Sequence, residues 1–276
     1  NVIIDNLTSL LTMHNQYGIQ CIDVTDGIQL NKNKVFVSSA GAVGIQLQRV
    51  NGSAGNYSLV SNNMLYQDGF HSNEAFMWNP ALYSIVCDSS SYIKILYNSI
   101  SSGVQPDTYF SPGIYLLRHS NNIEIKNNTV HNRLNSYSIY ASSNCNFTAD
   151  YNNYFSEGTS PFYYGIAINS LADWQTTTSQ DAHSIFKDPK YNDATDLHSH
   201  SAYLLNSGTP VIEVTDDIDG ELRDVTTPDI GADEYTLSSF DAGIVQVIAP
   251  TDSCVSGVKD VIVRMYNFGA DNLTTV

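Results

Sequence analysis

Asp68, His71 and Glu74 are the side chains best equipped by type for chemistry, and they share one polar stretch running from Tyr66 to Trp78. A histidine between two carboxylates can be tuned to give and take protons near neutral pH, as glycosidic-bond cleavage requires. The same three groups could hold a divalent metal. Their spacing of three and three, with no helical context, fits a solvated polar loop equally well. His131 and Arg133 follow a later apolar stretch, and Asp107 and Tyr109 follow another. Together with Tyr66, Trp78, Phe110 and Tyr137 they could line a cleft for a neutral oligosaccharide, rings against sugar faces and polar groups at the rim. The catalytic candidates are therefore Asp68, His71, Glu74 and His131. The ligand-binding candidates are Tyr66, Trp78, Asp107, Tyr109, His131 and Arg133. The alternative for the aromatics is packing of loops onto the body of the fold.

Two other chemistries find less support. A polysaccharide lyase needs a cationic base with charge neutralisation of a uronate, and no cluster of Lys and Arg with carboxylates is recognisable. Lys94 and Glu124 occupy equivalent places in neighbouring repeats and should pair with each other, while Lys126 stands isolated. The run Asp216-Asp217-Ile-Asp219-Gly-Glu221 hints at a calcium loop but lacks the distant bidentate Glu of an EF-hand. Asp216, Asp217 and Asp219 are the metal candidates of this run, with calcium the cofactor considered, and none is expected. Asp219 and Arg223 are expected to form a structural turn and ion pair.

The elements that must position these residues are legible as a repeat. Ile123-x-Ile125-x-x-Asn128-x-Val130 recurs as Ile93, Ile95, Asn98, Ile100 and as Ile28, Leu30, Asn33, Val35. Looser copies are Tyr57, Leu59, Asn62, Met64 and Phe147, Ala149, Asn152, Tyr154. The asparagines lie 29, 36, 30 and 24 residues apart, the period of a solenoid. The first two apolar residues share one side of a strand. The third returns to that side only after a turn, for which Asn is suited because it tolerates left-handed backbone angles. Stacked Asn amides can also hydrogen-bond from repeat to repeat. An all-β sandwich would not need the same residue type at the same offset, and a leucine-rich repeat would need Leu at most inward sites. The expected fold is all-β: a right-handed parallel β-helix. The insertions at about 38–43, 66–84, 101–113 and 131–138 leave each coil at the same point, so they should stack along one edge, where per-repeat insertions often bind.

Composition agrees. Charged residues make up only 14% of the 276, and the Asn, Ser, Thr, Tyr and Gly that replace them suit strands and polar turns better than helices. A net charge of −16 argues against nucleic acid, which needs clustered Lys and Arg. No apolar run approaches the ~20 residues of a membrane span. Cys21, Cys87 and Cys145 fall in alternate repeats, at least about 9.6 Å apart at a strand spacing of ~4.8 Å, too far for a disulfide. They are expected to be free, buried thiols. Asn1-Val-Ile3 reads as the end of an earlier repeat, so the chain is expected to begin inside a longer protein.

Residues 1–156 are therefore assigned to β-helix coils, 157–235 to the last coil and a C-terminal cap closing the solenoid, and 236–276 to the start of a second, β-sandwich domain. Asp219-x3-Arg223 followed by Asp229-Ile-Gly-Ala-x-Glu234-Tyr235, preceded by Asp188-Pro189-x-Tyr191, resembles the C-terminal signature of bacterial secreted parallel β-helix proteins. This chain has Asp233 where relatives often carry an aromatic or small residue, a departure expected to matter little. The alternating stretches 241–248 and 258–265 are similar to the opening of immunoglobulin-like adhesion modules in surface proteins of the Bacteroidetes type, truncated here. The resemblance implies an extracellular or outer-surface location. The function expected is a non-catalytic adhesin or glycan-binding module, with a neutral glycan or another cell-surface protein as partner. The alternatives are a polysaccharide hydrolase or lyase with its site on the loop edge, and a purely structural spacer.

Overall fold

A computed structural model describes residues 2–5, 8–11, 17–37, 42–67, 69–70, 82–102, 104–105, 110–133, 135–193, 195–239, 241–250, 260–267 and 269. The chain divides into two compact units, Asn1–Glu234 and Tyr235–Val276. The first is a parallel β-helix whose coils each contribute a strand to three parallel sheets. The first sheet holds Val2–Asp5, Ile28–Asn31, Ser58–Ser61, Ser91–Leu96, Asn121–Lys126 and Phe147–Asp150. After the asparagine turn, the second holds Thr8–Leu11, Lys34–Val37, Met64–Gln67, Ser99–Ser102, Thr129–Asn132 and Asn153–Ser156. Beyond the insertions, the third holds Tyr17–Ile22, Val43–Gln48, Tyr83–Asp88, Ile114–Leu117, Ile139–Ala141 and Phe162–Tyr164, with Ala167–Ile168 added antiparallel.

The core is the stack of inward side chains these strands supply, for example Ile28, Leu30, Val35, Val60, Leu65, Ile93, Ile95, Ile100, Ile123, Ile125 and Val130, all essentially inaccessible. Cys21 and Cys87 belong to the same stacks, flanking Leu47 in the third sheet. Cys21, Cys87 and Cys145 are free and buried, as their spacing requires, and burial pushes all three thiols up from their ordinary range. Where the chain enters the third sheet only small residues fit. A Cβ on Gly113 would come within 2.5 Å of Val130 Cγ1 and 2.9 Å of the Ser138 carbonyl.

The asparagines form the ladder their spacing predicts, with two corrections. The amide of Asn33 donates to Asn63 Oδ1 at 2.9 Å, Asn63 to Asn98 at 2.9 Å, Asn98 to Asn128 at 2.9 Å and Asn128 to Asn152 at 3.0 Å. The second repeat thus contributes Asn63, not Asn62. Its strand aligns Val60 with Leu30 and Ile95, so the copy read at Tyr57 and Leu59 is displaced by one residue, which would turn every side chain to the wrong face. The left-handed residue of each turn is also the one before the ladder Asn: Lys32, Asn62, Tyr97, Asn127 and Tyr151, with φ of 52–57°. The ladder Asn is used for its amide, which satisfies backbone N–H and C=O groups sealed from water.

The last coil is closed by the helix Leu171–Thr178. Ser170 caps its N-terminus by accepting from the Asp173 amide. Trp174, fully buried, stacks on Phe162 at 5.1 Å and Phe147 at 5.9 Å. The chain does not stop there. Residues 188–234 run back along the outside of the coils as an irregular strap over the asparagine turns. Tyr97 donates its hydroxyl to the Thr209 carbonyl, Asn127 brackets Thr209 through both amide atoms, Gly231 donates to the Asn127 carbonyl, and Lys32 pairs with Asp216 at 2.7 Å. The segment expected only to cap the end therefore also clasps one flank. The second unit contains the antiparallel pair Ala242–Ala249 and Ile262–Asn267, interrupted by two register shifts. No helix among the described residues is long and apolar enough to cross a membrane.

Candidate binding surface

On the outer face of the third sheet, register alone places one row of side chains: Gln20, Gln46, Val86, Tyr115, Tyr140 and Tyr163. Parallel strands ~4.8 Å apart make this row roughly 24 Å long. The three tyrosines adjoin Tyr83, Phe110 and Tyr137, the last two of which stand where insertions rejoin the coil, and all six rings are half-buried. Tyr140 and Tyr163 are stacked with centroids 4.0 Å apart and planes 4° from parallel. Tyr83 and Tyr115 stack at 5.0 Å, and Tyr115 meets Tyr140 edge-on at 4.9 Å. Phe110 touches Tyr83, Tyr115, Tyr137 and Tyr140 edge-on at 5.1–5.9 Å. These contacts fix the rings before any ligand arrives, with only two side-chain torsions each to immobilise.

The cluster contains no charged side chain. Burial pushes the Tyr83 hydroxyl up to about 12, with Tyr115 adding to it, and burial likewise raises Tyr115, Tyr137 and Tyr140. These four hydroxyls are therefore neutral hydrogen-bonding groups across the biological pH range. Arg118 and Asp88, whose charges act on Tyr115, are tied to each other at 3.0 Å. The Gln20 amide donates to Gln46 at 2.7 Å further along the row.

The residues singled out from the sequence are placed as follows. Asp68, His71, Glu74, Trp78, Asp107 and Tyr109 lie outside the described residues. Tyr66 is only 7% exposed, with the Arg133 guanidinium 4.9 Å above its ring, and Arg133 donates to the Gln67 carbonyl at 2.6 Å. This pair packs the loop base and leaves no ring face open there. His131 lies on the outer face of the second sheet between Ser101 and Phe155, its Nε2 3.0 Å from Glu157. Burial holds its pKa below the ordinary value, although Glu157 works in the other direction. As pH falls below about 6.5 the unfolded chain takes up a proton that the native chain resists. Stability is thereby lost with acidification, and His131→Phe should flatten that loss. Urea unfolding of both proteins at pH 7.5 and 5.0 is the check: the native chain should lose more stability across this interval than the variant.

Lys94 pairs with Glu124 at 3.4 Å as expected, and more closely with Glu213 of the strap at 2.5 Å. Lys126 is not isolated, because it reaches the other oxygen of Glu124 at 2.8 Å. Arg223 pairs with Glu234 at 3.1 Å rather than with Asp219, whose carboxylate faces His198 at 2.6 Å. A groove of about 520 Å³ runs between the strap and the first sheet, lined by Gln29, Asn31, Asn56, Tyr57, Lys94 and Asp216 among others. Its lysine is held by Glu124 and Glu213, and its Asp216 by Lys32, so its charges are committed to seating the strap. The three aspartates of the suspected calcium loop are likewise divided. Asp216 pairs with Lys32, Asp217 caps a turn by accepting three backbone amides, and only Asp219 points toward other potential ligands.

The signal that the repeat template missed is a tetrapeptide in the third sheet. Gly113-Ile-Tyr-Leu116, Ser138-Ile-Tyr-Ala141 and Pro161-Phe-Tyr-Tyr164 are successive copies, preceded by Gly18-Ile-Gln-Cys21, Gly44-Ile-Gln-Leu47 and Ser84-Ile-Val-Cys87. The third residue of each is the outward one. Comparison of the chain with protein-family models, curated proteins and solved structures returns no match. The class rests on the fold itself: an all-β parallel β-helix.

Proposed function

We propose that this chain is a non-catalytic binding module of an extracellular or cell-surface bacterial protein, and that its ligand is a neutral glycan laid along Tyr115, Tyr140 and Tyr163. The observation that carries this reading is the six-ring, charge-free, half-buried cluster on one sheet face. Sugar rings present C–H faces and hydroxyls, which match tyrosine rings and their neutral hydroxyls. The net charge of −16 disfavours polyanionic ligands. The closing signature and the similarity of residues 241–265 to an immunoglobulin-like module support the surface location and the adhesive role.

An enzymatic reading requires two converging carboxylates, or a cation beside one, in reach of substrate. Among the described residues the ring cluster itself carries no charged group, and the cation–carboxylate pair beside it, Arg118 and Asp88, is closed on itself at 3.0 Å. The test is a glycan-array screen of the native chain beside Tyr115→Ala and Tyr140→Ala. Binding to neutral oligosaccharides that both variants weaken supports the proposal. Absence of binding by the native chain, or unweakened binding by both variants, overturns it.

A further inference from the structure

Asp233, the residue that departs from the closing signature, is nine-tenths buried, at 7% exposure. Among the described residues its one hydrogen bond is a long one, 3.4 Å from the Ser199 amide. A buried carboxylate with so little compensation is costly, and its surroundings show what it faces. One imidazole nitrogen of His198 and one carboxylate oxygen each from Asp219 and Asp233 lie within 4.8 Å of one another. His198 is oriented for this: its Nδ1 hydrogen-bonds Asp196, which leaves Nε2 directed at Asp219 at 2.6 Å. A carboxylate on the far nitrogen is the usual support of a metal-bound imidazole, fixing the tautomer and raising its basicity. Among the described residues the one lysine or arginine paired with the group is Lys34, 3.9 Å from Asp219, against the carboxylates of Asp196, Asp217, Asp219 and Asp233.

We propose that His198, Asp219 and Asp233 form a binding site for one divalent transition-metal ion of the zinc type. An imidazole with two carboxylates suits such an ion better than calcium, which prefers six to eight oxygens. Zinc–ligand bonds of about 2.0–2.2 Å in a tetrahedron need ligand atoms about 3.3 Å apart. The His198–Asp219 separation of 2.6 Å is shorter than that, and the other two lie within 4.8 Å. His198 and Asp219 must part by less than ~1 Å, and exposed Asp219 can rotate to allow it. The three ligands come from three separate stretches of the strap, so the ion would tie residues 196–199, 219 and 233 together. That role is independent of glycan binding.

The experiment is titration of the chelator-treated full chain with Zn²⁺, and separately with Co²⁺ and Ca²⁺, reading stoichiometry, thermal midpoint and the cobalt visible spectrum. The native chain should bind one Zn²⁺ saturably at micromolar concentration with a raised midpoint. Co²⁺ should give a ligand-field band, and Ca²⁺ should have no effect at the same concentration. Asp233→Asn and Asp196→Asn should each weaken binding roughly 10–100-fold, and His183→Ala, a histidine elsewhere on the coil, should leave it unchanged. No saturable Zn²⁺ binding by the native chain overturns the proposal without recourse to any variant. So does preference for Ca²⁺, or an affinity that survives Asp233→Asn.

Discussion

Asp181→Ala is expected to lower the unfolding free energy by about 3–5 kcal/mol, the scale reached when a buried polar network loses its central member. The physical reason lies in the direction of the asparagine ladder. Every amide donates toward the C-terminal end, so the last, Asn152, must find an acceptor with no further coil to supply it. Asp181, fully buried, takes that bond at 3.1 Å. It also accepts from Ser184 at 2.6 Å, from the Tyr154 hydroxyl at 3.2 Å and from the Trp174 indole at 2.7 Å. Burial drives its pKa up against these donors, and no lysine or arginine among the described residues pairs with it. The carboxylate serves the aligned amides as an anion serves a helix N-terminus. Removing it strands four donors at the seal of the core. Asp181→Asn should be nearly as damaging, because an amide presents an N–H₂ to one side of a site where every neighbour donates. Urea unfolding followed by far-UV circular dichroism is the measurement. A loss below about 1 kcal/mol for both variants would show that the ladder needs no terminal acceptor.

Arg223→Ala has the second large effect, and its signature is local. Arg223 is 6% exposed, donates to Glu234 at 3.1 Å, to Asn62 Oδ1 at 2.8 Å and to the Gly231 carbonyl at 3.0 Å, and lies 3.9 Å over the ring of Tyr97. Glu234 in turn receives the amides of Asp224 and Asp229, both at 2.9 Å. Truncation leaves a part-buried carboxylate without its counter-ion and opens the strap's main anchor to the left-handed turn residues Asn62 and Tyr97. About 3–5 kcal/mol should be lost, and Arg223→Lys should recover little, since an ammonium cannot fork to three acceptors while stacking on a ring. Limited proteolysis distinguishes this from general weakening. Cleavage within 188–234 should precede cleavage of the coils, and equal protection of both segments in the variant would contradict the account.

The contrast between these two residues shows how far the sequence can be read. The coils were legible because each repeats a local rule: two inward apolar residues, an Asn, another inward apolar residue. Where the rule was ambiguous, the reading slipped. Asn62 and Asn63 are adjacent, and both Tyr57-x-Leu59 and Ser58-x-Val60 satisfy the alternation, so only pairing with Leu30 and Ile95 decides between them. The free cysteines and the Lys94–Glu124 pair followed directly from the repeat. The strap did not, because its partners lie as far as 184 residues away and its backbone follows no period. Asp233 was dismissed for the same reason, since its neighbours His198 and Asp219 are brought together only by that irregular path. The tyrosine row was missed for a simpler cause: the template covered two faces of each coil, and the row stands on the third. Of the residues read as lining a loop-edge cleft, Tyr66 and Arg133 pack against each other while His131 engages Glu157.

Titration calorimetry of a neutral oligosaccharide, chosen from the array, against the native chain and Tyr140→Ala tests the central claim most directly. Tyr140 touches Phe110, Tyr115, Tyr137 and Tyr163, so its removal breaks the middle of the surface. Loss of a ring contact of about 1–1.5 kcal/mol corresponds to a Kd raised roughly five- to thirteenfold, in a variant whose circular dichroism is unchanged. A Kd equal to that of the native chain would place the glycan elsewhere and contradict the account.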